Sequence, residues 1–188
     1  MRHLLLATTL TAVGLAAPAV ADMADAKALV EQYSQAPTFV APGEAFDAKT
    51  CMADKKVFVI PLTNANPFNA AISQGFVEAA EMVGFELRDW ETQMDPAGWI
   101  QGINTAVAEG FDLIDMQGGL PPEFLVPQIT EARAAGVKVT ATHNWDATTQ
   151  KTPEFMDGAA NTDYVTVGNI IAAWAMIKTD GKVNALVL

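Results

Sequence analysis

The chain has 188 residues, of which 51% are hydrophobic and 18% are charged, and its formal net charge is -11. This length and composition favour a folded globular protein of one domain and part of another, and they argue against disorder. The negative charge disfavours binding to nucleic acid and to anionic membrane surfaces, because both carry negative charge themselves.

The first 21 residues have the pattern of a cleavable signal peptide. A basic start at residues 2–3 precedes an uncharged apolar run at 4–17, and the small-x-small site Ala-Val-Ala follows at 19–21. The apolar run is shorter than the roughly 20 residues that a membrane-spanning helix needs. The sequence therefore predicts export to the periplasm, with a mature chain that begins at Asp22 and is not inserted in the membrane.

Residues 22–55 are predicted to form an N-terminal leader and linker. The segment 22–35 has apolar residues at helical spacing but is mostly polar or small, so a peripheral helix is expected. Prolines and a glycine occur in 36–54 without a sustained period, which favours an extended connection. Cys51 is the only cysteine, so an intramolecular disulfide is impossible, and a buried or idle thiol is expected.

Residues 56–161 are predicted to form a first lobe, because strands and helices alternate along them. An apolar, β-branched run at 57–62 predicts a strand covered on both faces, and 68–83 then has a helical period. Further strands are predicted at 85–90, 113–117 and 137–141, and further helices begin at Asp95-Pro96 and Pro121-Pro122. The predicted fold class is therefore α/β, a Rossmann-like parallel sheet flanked by helices.

The last part of the chain predicts a hinge and the start of a second lobe. Periodicity fails in 142–161, which favours loop or extended chain, and helical spacing returns in 167–177. An apolar run from Val183 predicts a new strand, and the sequence stops within that run. Residues 162–188 are therefore predicted to be the incomplete opening of a second lobe, and this chain alone is expected to bind its ligand more weakly than a two-lobed form.

Few residues could support catalysis. His143 is the only histidine after the predicted signal peptide, and neither Ser34 nor Ser73 lies in a G-x-S-x-G pattern. One histidine and one cysteine do not make a usual zinc site, and no phosphate-binding glycine loop follows a strand, so no metal or cofactor is predicted. A secreted α/β enzyme stays open as a distant alternative, with Asp89, Asp115 and His143 as its modest candidates.

Polar and aromatic residues follow the predicted carboxyl ends of three strands, where doubly wound sheets bind their ligands. Amides can both donate to and accept from hydroxyl groups, and aromatic faces cover the C–H surfaces of a sugar or polyol. The predicted ligand-binding residues are Asn64, Asn66, Phe68, Asn69, Gln117, His143, Asn144 and Trp145. Structural roles stay open as alternatives: Asn66 could form the turn before Pro67, Phe68 could be a core residue, and His143 and Trp145 could fill an interdomain edge.

Three segments carry a family resemblance. They read K-V-F-V-I-P-L-T-N-A-N-P-F-N at 56–69, G-F-V-E-A-A-E-M-V-G-F-E-L at 75–87 and A-G-V-K-V-T-A-T-H-N at 135–144. Together they resemble the periplasmic sugar-binding proteins of ABC importers, the ribose-binding-like group of type I periplasmic binding proteins. The resemblance extends over roughly residues 56–188.

The resemblance implies two Rossmann-like lobes that close over one small ligand, a sugar or polyol, and are then recognised by the permease of an ABC importer. It implies ligand contacts from Asn66 and Phe68, with the Phe68 ring stacked on the sugar. It also implies a first hinge crossing at Asn161, Thr162 and Asp163.

The chain departs from the ribose-binding pattern at two places. Asn69 stands where such proteins usually carry a second aromatic residue, and His143-Asn144 stands where they carry an acidic-basic pair, so ribose itself is not favoured. A periplasmic sensory protein that presents its ligand to a chemoreceptor or kinase would share the fold and the cleft. Kinship with sugar-responsive repressors is excluded as a function by the predicted signal peptide, the acidic charge and the lack of a DNA-reading helix pair.

Overall fold

Five parallel strands form one sheet in the computed structural model, which describes residues 22–41 and 43–186. The strands are β1 (Lys56–Pro61), β2 (Glu86–Asp89), β3 (Leu113–Gln117), β4 (Lys138–Asp146) and β5 (Gly158–Thr162). Their spatial order is β2-β1-β3-β4-β5, and each neighbouring pair is parallel. The predicted α/β fold with a parallel sheet is confirmed.

Helices separate the first four strands from one another, as the sequence predicts, whereas no helix separates β4 from β5. The helices are α1 (Met23–Tyr33), α2 (Ala48–Met52), α3 (Pro67–Val83), α4 (Pro96–Ala108), α5 (Val126–Ala134) and α6 (Tyr164–Lys178), and a 3-10 turn at Pro122–Leu125 leads into α5. No helix in the described part of the chain is both long and apolar enough to cross a membrane.

The chain divides into two units. One is Thr38–Gly168, which contains the whole sheet, and the other combines the described residues 22–37 and 169–186. Ala26 of α1 and Ala173 of α6 are buried in this second unit. The predicted signal peptide at residues 1–21 lies outside the described residues. The predicted boundary between a first lobe and a hinge, after residue 161, stays a prediction.

Local sequence signals place the helix ends. Asn66 and Asp95 cap α3 and α4, since their side-chain oxygens accept hydrogen bonds from the backbone N–H groups of Phe68 (2.8 Å) and Ala97 (3.1 Å). A proline follows each cap, where its missing N–H costs nothing. Gly84 ends α3 with a φ of 95°, a left-handed conformation that glycine adopts without strain.

The hydrophobic core lies between the sheet and the helices α4 and α5. Alternate strand residues point to this face, and they meet apolar residues of the two helices. The buried set includes Phe58, Ile60, Ile114, Met116, Val139 and Ala141 from the strands and Trp99, Ile103, Ile129 and Ala132 from the helices. Both helices thus turn an apolar face to the sheet, and Trp99 is one of the largest fully buried side chains.

Three local predictions are wrong. The segment 36–54 contains the short helix α2, because Asp47 caps it by accepting from the backbone N–H of Thr50 (3.1 Å). Strand β4 continues to Asp146, and residues 158–162, whose small side chains lack a strand pattern, form β5 because they pair with β4. Residues 183–186 are not in a strand. Cys51 is exposed on α2, which rules out the buried alternative, while an idle thiol stays a prediction.

Candidate functional site

Phe68 and His143 meet at the carboxyl edge of the sheet. Their ring centroids lie 5.3 Å apart at an interplanar angle of 90°, an edge-to-face contact. Phe68 follows the end of β1 and is 56% exposed, while His143 lies near the end of β4 and is half-buried. Phe68 is therefore not a core residue, and an open aromatic ring stands where a doubly wound sheet binds ligands.

The first turn of α3 places Phe68 at this edge. Asn66 uses its side-chain oxygen to cap the helix through the N–H of Phe68, and Pro67 fixes the backbone between them. The turn-forming role considered for Asn66 is thus present in the structure. Its contact with a ligand stays a prediction, for which the amide nitrogen of the same side chain is the group to consider.

His143 reaches Phe68 because β4 is irregular there. The pairing of β4 with β5 shifts register between Thr142 and Asp146, and His143 has a φ of 61°, which is uncommon for a residue other than glycine. The irregularity is held by Asn144, whose side-chain amide donates to Met116 O (2.9 Å), and by the Tyr164 hydroxyl, which donates to His143 O (3.3 Å). Strained backbone of this kind concentrates at functional sites.

The imidazole of His143 is suited to a neutral polar ligand. Burial lowers the pKa of His143 below its ordinary value, so the ring is uncharged at neutral pH. A neutral imidazole offers one hydrogen-bond donor and one acceptor. Its Nδ1 atom is buried and has no hydrogen-bond partner among the described residues.

Gln117 and Asn69 lie beneath the Phe68 turn. Gln117 ends β3 and is 0% exposed; its side-chain nitrogen donates to the backbone carbonyl of Asn69 (2.7 Å). The hydroxyl of Ser73, one turn further along α3, lies 3.1 Å from the Gln117 side-chain oxygen and 3.0 Å from that of Asn64. The Asn69 side chain is buried, and its nitrogen has no partner within the described part of the chain.

Asn64 is engaged with the end of β2. Its side-chain nitrogen lies 3.0 Å from both carboxylate oxygens of Asp89, and its backbone N–H donates to Glu91 (2.8 Å). Asp89, an acid considered for an enzyme, therefore holds Asn64 in this structure. Asn64, Asn69, Ser73 and Gln117 form one connected set of hydrogen-bonding groups at the carboxyl edge.

Trp145 does not join Phe68 and His143. It is buried in the hydrophobic core, where it continues the apolar face of Val139 and Ala141 at alternate strand positions. Its indole N–H donates to the Glu123 carboxylate (3.0 Å) in the turn before α5. The structure thus places Trp145 in a packing position rather than beside the other predicted ligand residues, because Trp145 keeps the strand alternation whereas His143, with its left-handed backbone, departs from it.

Asp146 is a residue that the sequence reasoning missed. One carboxylate oxygen accepts from the backbone N–H and hydroxyl groups of both Thr148 and Thr149, and the other accepts from the N–H of Val165 in the first turn of α6 (3.0 Å). These hydroxyl donors, followed by the backbone N–H groups, hold the pKa of Asp146 well below its usual range. The signal available in sequence was the D-x-T-T pattern of a side-chain-bonded turn.

The predicted hinge residues lie at the end of β5 and the start of α6. Asn161 accepts from the N–H of Trp145 (3.3 Å), Thr162 is the register partner of Asp146, and Asp163 accepts from the N–H of Thr166 (2.8 Å). Their role as a hinge stays a prediction.

Asp115 is the remaining acid considered for an enzyme. It lies in the middle of β3, where the hydroxyl groups of Thr140 (2.7 Å) and Thr142 (3.1 Å) donate to one of its oxygens. Burial raises the pKa of Asp115. No group of three or more His, Cys, Asp or Glu side chains that could hold a metal ion occurs in residues 22–41 and 43–186.

No family model and no curated protein sequence matches the chain. Solved structures do. A galactofuranose-binding protein is 21% identical with a TM-score of 0.59, over 68% of this chain and 42% of that chain. A sugar ABC transporter protein from Yersinia enterocolitica subsp. enterocolitica is 16% identical with a TM-score of 0.59, over 76% of this chain and 42% of that chain.

A third structure is the periplasmic binding protein component of the arabinose ABC transporter from Shewanella sp. ANA-3, bound to α- and β-L-arabinofuranose. It is 19% identical with a TM-score of 0.56, over 68% of this chain and 41% of that chain. Over the matched part, the chain has the α/β fold of the corresponding part of these binding proteins, which is the fold of type I periplasmic binding proteins. The predicted resemblance is confirmed at this level, and the chain spans less than half the length of these neighbours.

Proposed function

We propose that this chain is part of a periplasmic solute-binding protein that captures a small polar ligand, a sugar or a polyol, for the permease of an ABC importer. The observation that carries the proposal is the exposed Phe68 ring beside the neutral His143 at the carboxyl edge of the sheet. An aromatic ring can cover the C–H surface of a sugar, while amide and imidazole groups exchange hydrogen bonds with its hydroxyls.

The fold and the chemistry of the edge support the same kind of ligand. The structural neighbours are named as sugar-binding or sugar-transport proteins, and two of them are named for furanose sugars. The proposed capture needs no reacting group: the ligand would be held between hydrogen bonds and an aromatic face, and released unchanged. The predicted signal peptide supports a periplasmic site for this capture.

The proposal is tested by titrating the protein with a panel of pentoses, hexoses and polyols that includes L-arabinose and galactose. Binding is followed by calorimetry and by the NMR signals of the His143 imidazole, which also report weak binding in the range of about 1 mM. We expect at least one sugar to shift the His143 signals in a saturable manner. Phe68→Ala is expected to weaken that binding about tenfold or more, because it removes the aromatic face.

Phe39→Ala is the matched control, since Phe39 is 85% exposed and follows no strand end. It removes the same ring and is expected to leave the affinity unchanged. If no sugar or polyol shifts the His143 signals, or if Phe68→Ala binds as tightly as the unaltered protein, the proposed function is wrong.

A further inference from the structure

The groups beneath Phe68 form a continuous path of hydrogen bonds. It runs from the Asp89 carboxylate to the side-chain nitrogen of Asn64, then from the Asn64 oxygen to the Ser73 hydroxyl. The Ser73 hydroxyl also lies within hydrogen-bond distance of the Gln117 oxygen, and the Gln117 nitrogen donates to the carbonyl of Asn69. The path joins the carboxyl ends of β1, β2 and β3 to the first two turns of α3.

Gln117 is the member of this path that is least accessible to a ligand. Its side chain is 0% exposed, and both its oxygen and its nitrogen have partners on α3. A buried amide with both ends bonded fixes the two surfaces that it connects, because breaking either bond leaves a buried polar group unpaired. The carbonyl that it holds belongs to Asn69, the residue directly after Phe68.

We propose that Gln117 is a positioning residue, which holds the first turn of α3 on the end of β3 and thereby keeps the Phe68 ring against His143, rather than a residue that contacts the ligand itself. Two anchors then define the Phe68 turn. Asn66 caps it from the preceding residues, and Gln117 ties it to the sheet from below. The role in ligand affinity rests on the proposed sugar-binding function, whereas the position of the Phe68 ring does not.

The position of the Phe68 ring can be read without any ligand. An aromatic ring 5.3 Å from the imidazole displaces the NMR signals of the His143 ring protons. The chain has two histidines, His3 and His143, so His143→Asn identifies the signal. Spectra are recorded at about pH 8, where the imidazole is neutral. Phe68→Ala measures the full size of the displacement.

Gln117→Met is the main variant, since it keeps the length of the side chain and removes both hydrogen bonds. We expect it to lose most of the displacement that Phe68→Ala abolishes, and to weaken the binding of a sugar about tenfold. Ile129→Val is the control, because Ile129 is buried on α5 in the apolar core, a cluster that includes no residue of the Phe68 turn. It is expected to lower thermal stability while leaving the His143 signals in place.

Ser73→Ala provides a second variant if Gln117→Met does not fold. It removes the only hydroxyl that bonds the Gln117 oxygen among the described residues, so a partial loss of the displacement is expected. An unchanged His143 signal in Gln117→Met, or in Ser73→Ala where that is the variant that folds, overturns the positioning role. A changed signal in a protein that binds no sugar supports the positioning role while the proposed function fails, so the two failures are distinguishable.

Discussion

The two faces of the sheet differ in chemistry. The face toward α4 and α5 is apolar, with Phe58, Ile114 and Met116 fully or almost fully buried. The opposite face is mixed: β1 carries the buried Val57 and Val59 there, but β3 carries the buried polar residues Asp115 and Gln117, and Gln117 bonds α3. Apolar packing is non-directional and tolerates small shifts, whereas hydrogen bonds fix distances and angles.

The difference indicates a division of roles within one unit. The apolar face contributes most of the stability, because area removed from water is the dominant favourable term in folding. The polar residues of the opposite face fix the position of α3, because Gln117 holds the turn that carries Phe68. Substitutions on the first face should therefore change stability, and substitutions on the second should change the geometry of the candidate site.

The largest effect is expected from Phe58→Ala on the apolar face. Phe58 is fully buried, with Phe111 edge-on at 4.9 Å and Trp90 at 5.7 Å between ring centroids. Its truncation leaves a cavity and should lower the free energy of unfolding by about 3–5 kcal/mol, measured by urea denaturation. Phe39→Ala, the same change at an exposed ring, should alter it by less than about 0.5 kcal/mol. Equal losses in the two variants would contradict the assignment of the core.

A smaller effect is expected from removing one helix cap on each face. Asn66→Ala removes the cap of α3 and Asp95→Ala that of α4, and each should lower the free energy of unfolding by about 1 kcal/mol. Only Asn66→Ala should move the His143 NMR signals, because only α3 carries Phe68. If Asp95→Ala moves them as much, the two faces are not independent.

The smallest effect is expected from Asp115→Asn, and it depends on pH. Burial raises the pKa of Asp115 in the folded protein above its pKa in the unfolded chain. At a pH between these two pKa values, the folded state keeps a proton that the unfolded state has released. The wild type therefore loses stability as pH rises through that interval. Asparagine carries no charge, so Asp115→Asn should be the more stable protein at neutral pH, and its advantage should shrink below about pH 4.

Asp157→Asn is the control with the opposite sign. Burial opposes the ionisation of Asp157, but the N–H of Val139, then Lys138 and Arg133, outweigh it and lower the pKa. Its stabilising contribution is thus present above the unfolded pKa and lost as pH falls through the folded one. Asp157→Asn should be less stable than the wild type at neutral pH. Parallel pH profiles of unfolding for the two variants would contradict both assignments.

The sequence by itself determined the architecture of the sheet region. The apolar run at 57–62, the strand pattern at 113–117 and the helical periods after them follow from side-chain burial, which repeats every 2 or about 3.6 residues whatever the rest of the chain does. Caps such as Asn66 and Asp95 and the terminal Gly84 act within one turn of their helix, so their signals are also local.

Tertiary structure alone decided how the predicted site residues divide. Gln117, His143 and Trp145 all follow or end strands in sequence, yet Gln117 is bonded to α3, His143 meets Phe68, and Trp145 is in the core. The separation arises from the left-handed backbone at His143 and from pairing with β5, whose residues 158–162 carry no strand pattern of their own. Contacts between residues far apart in sequence set these positions, and hydrophobic periodicity holds no information about them.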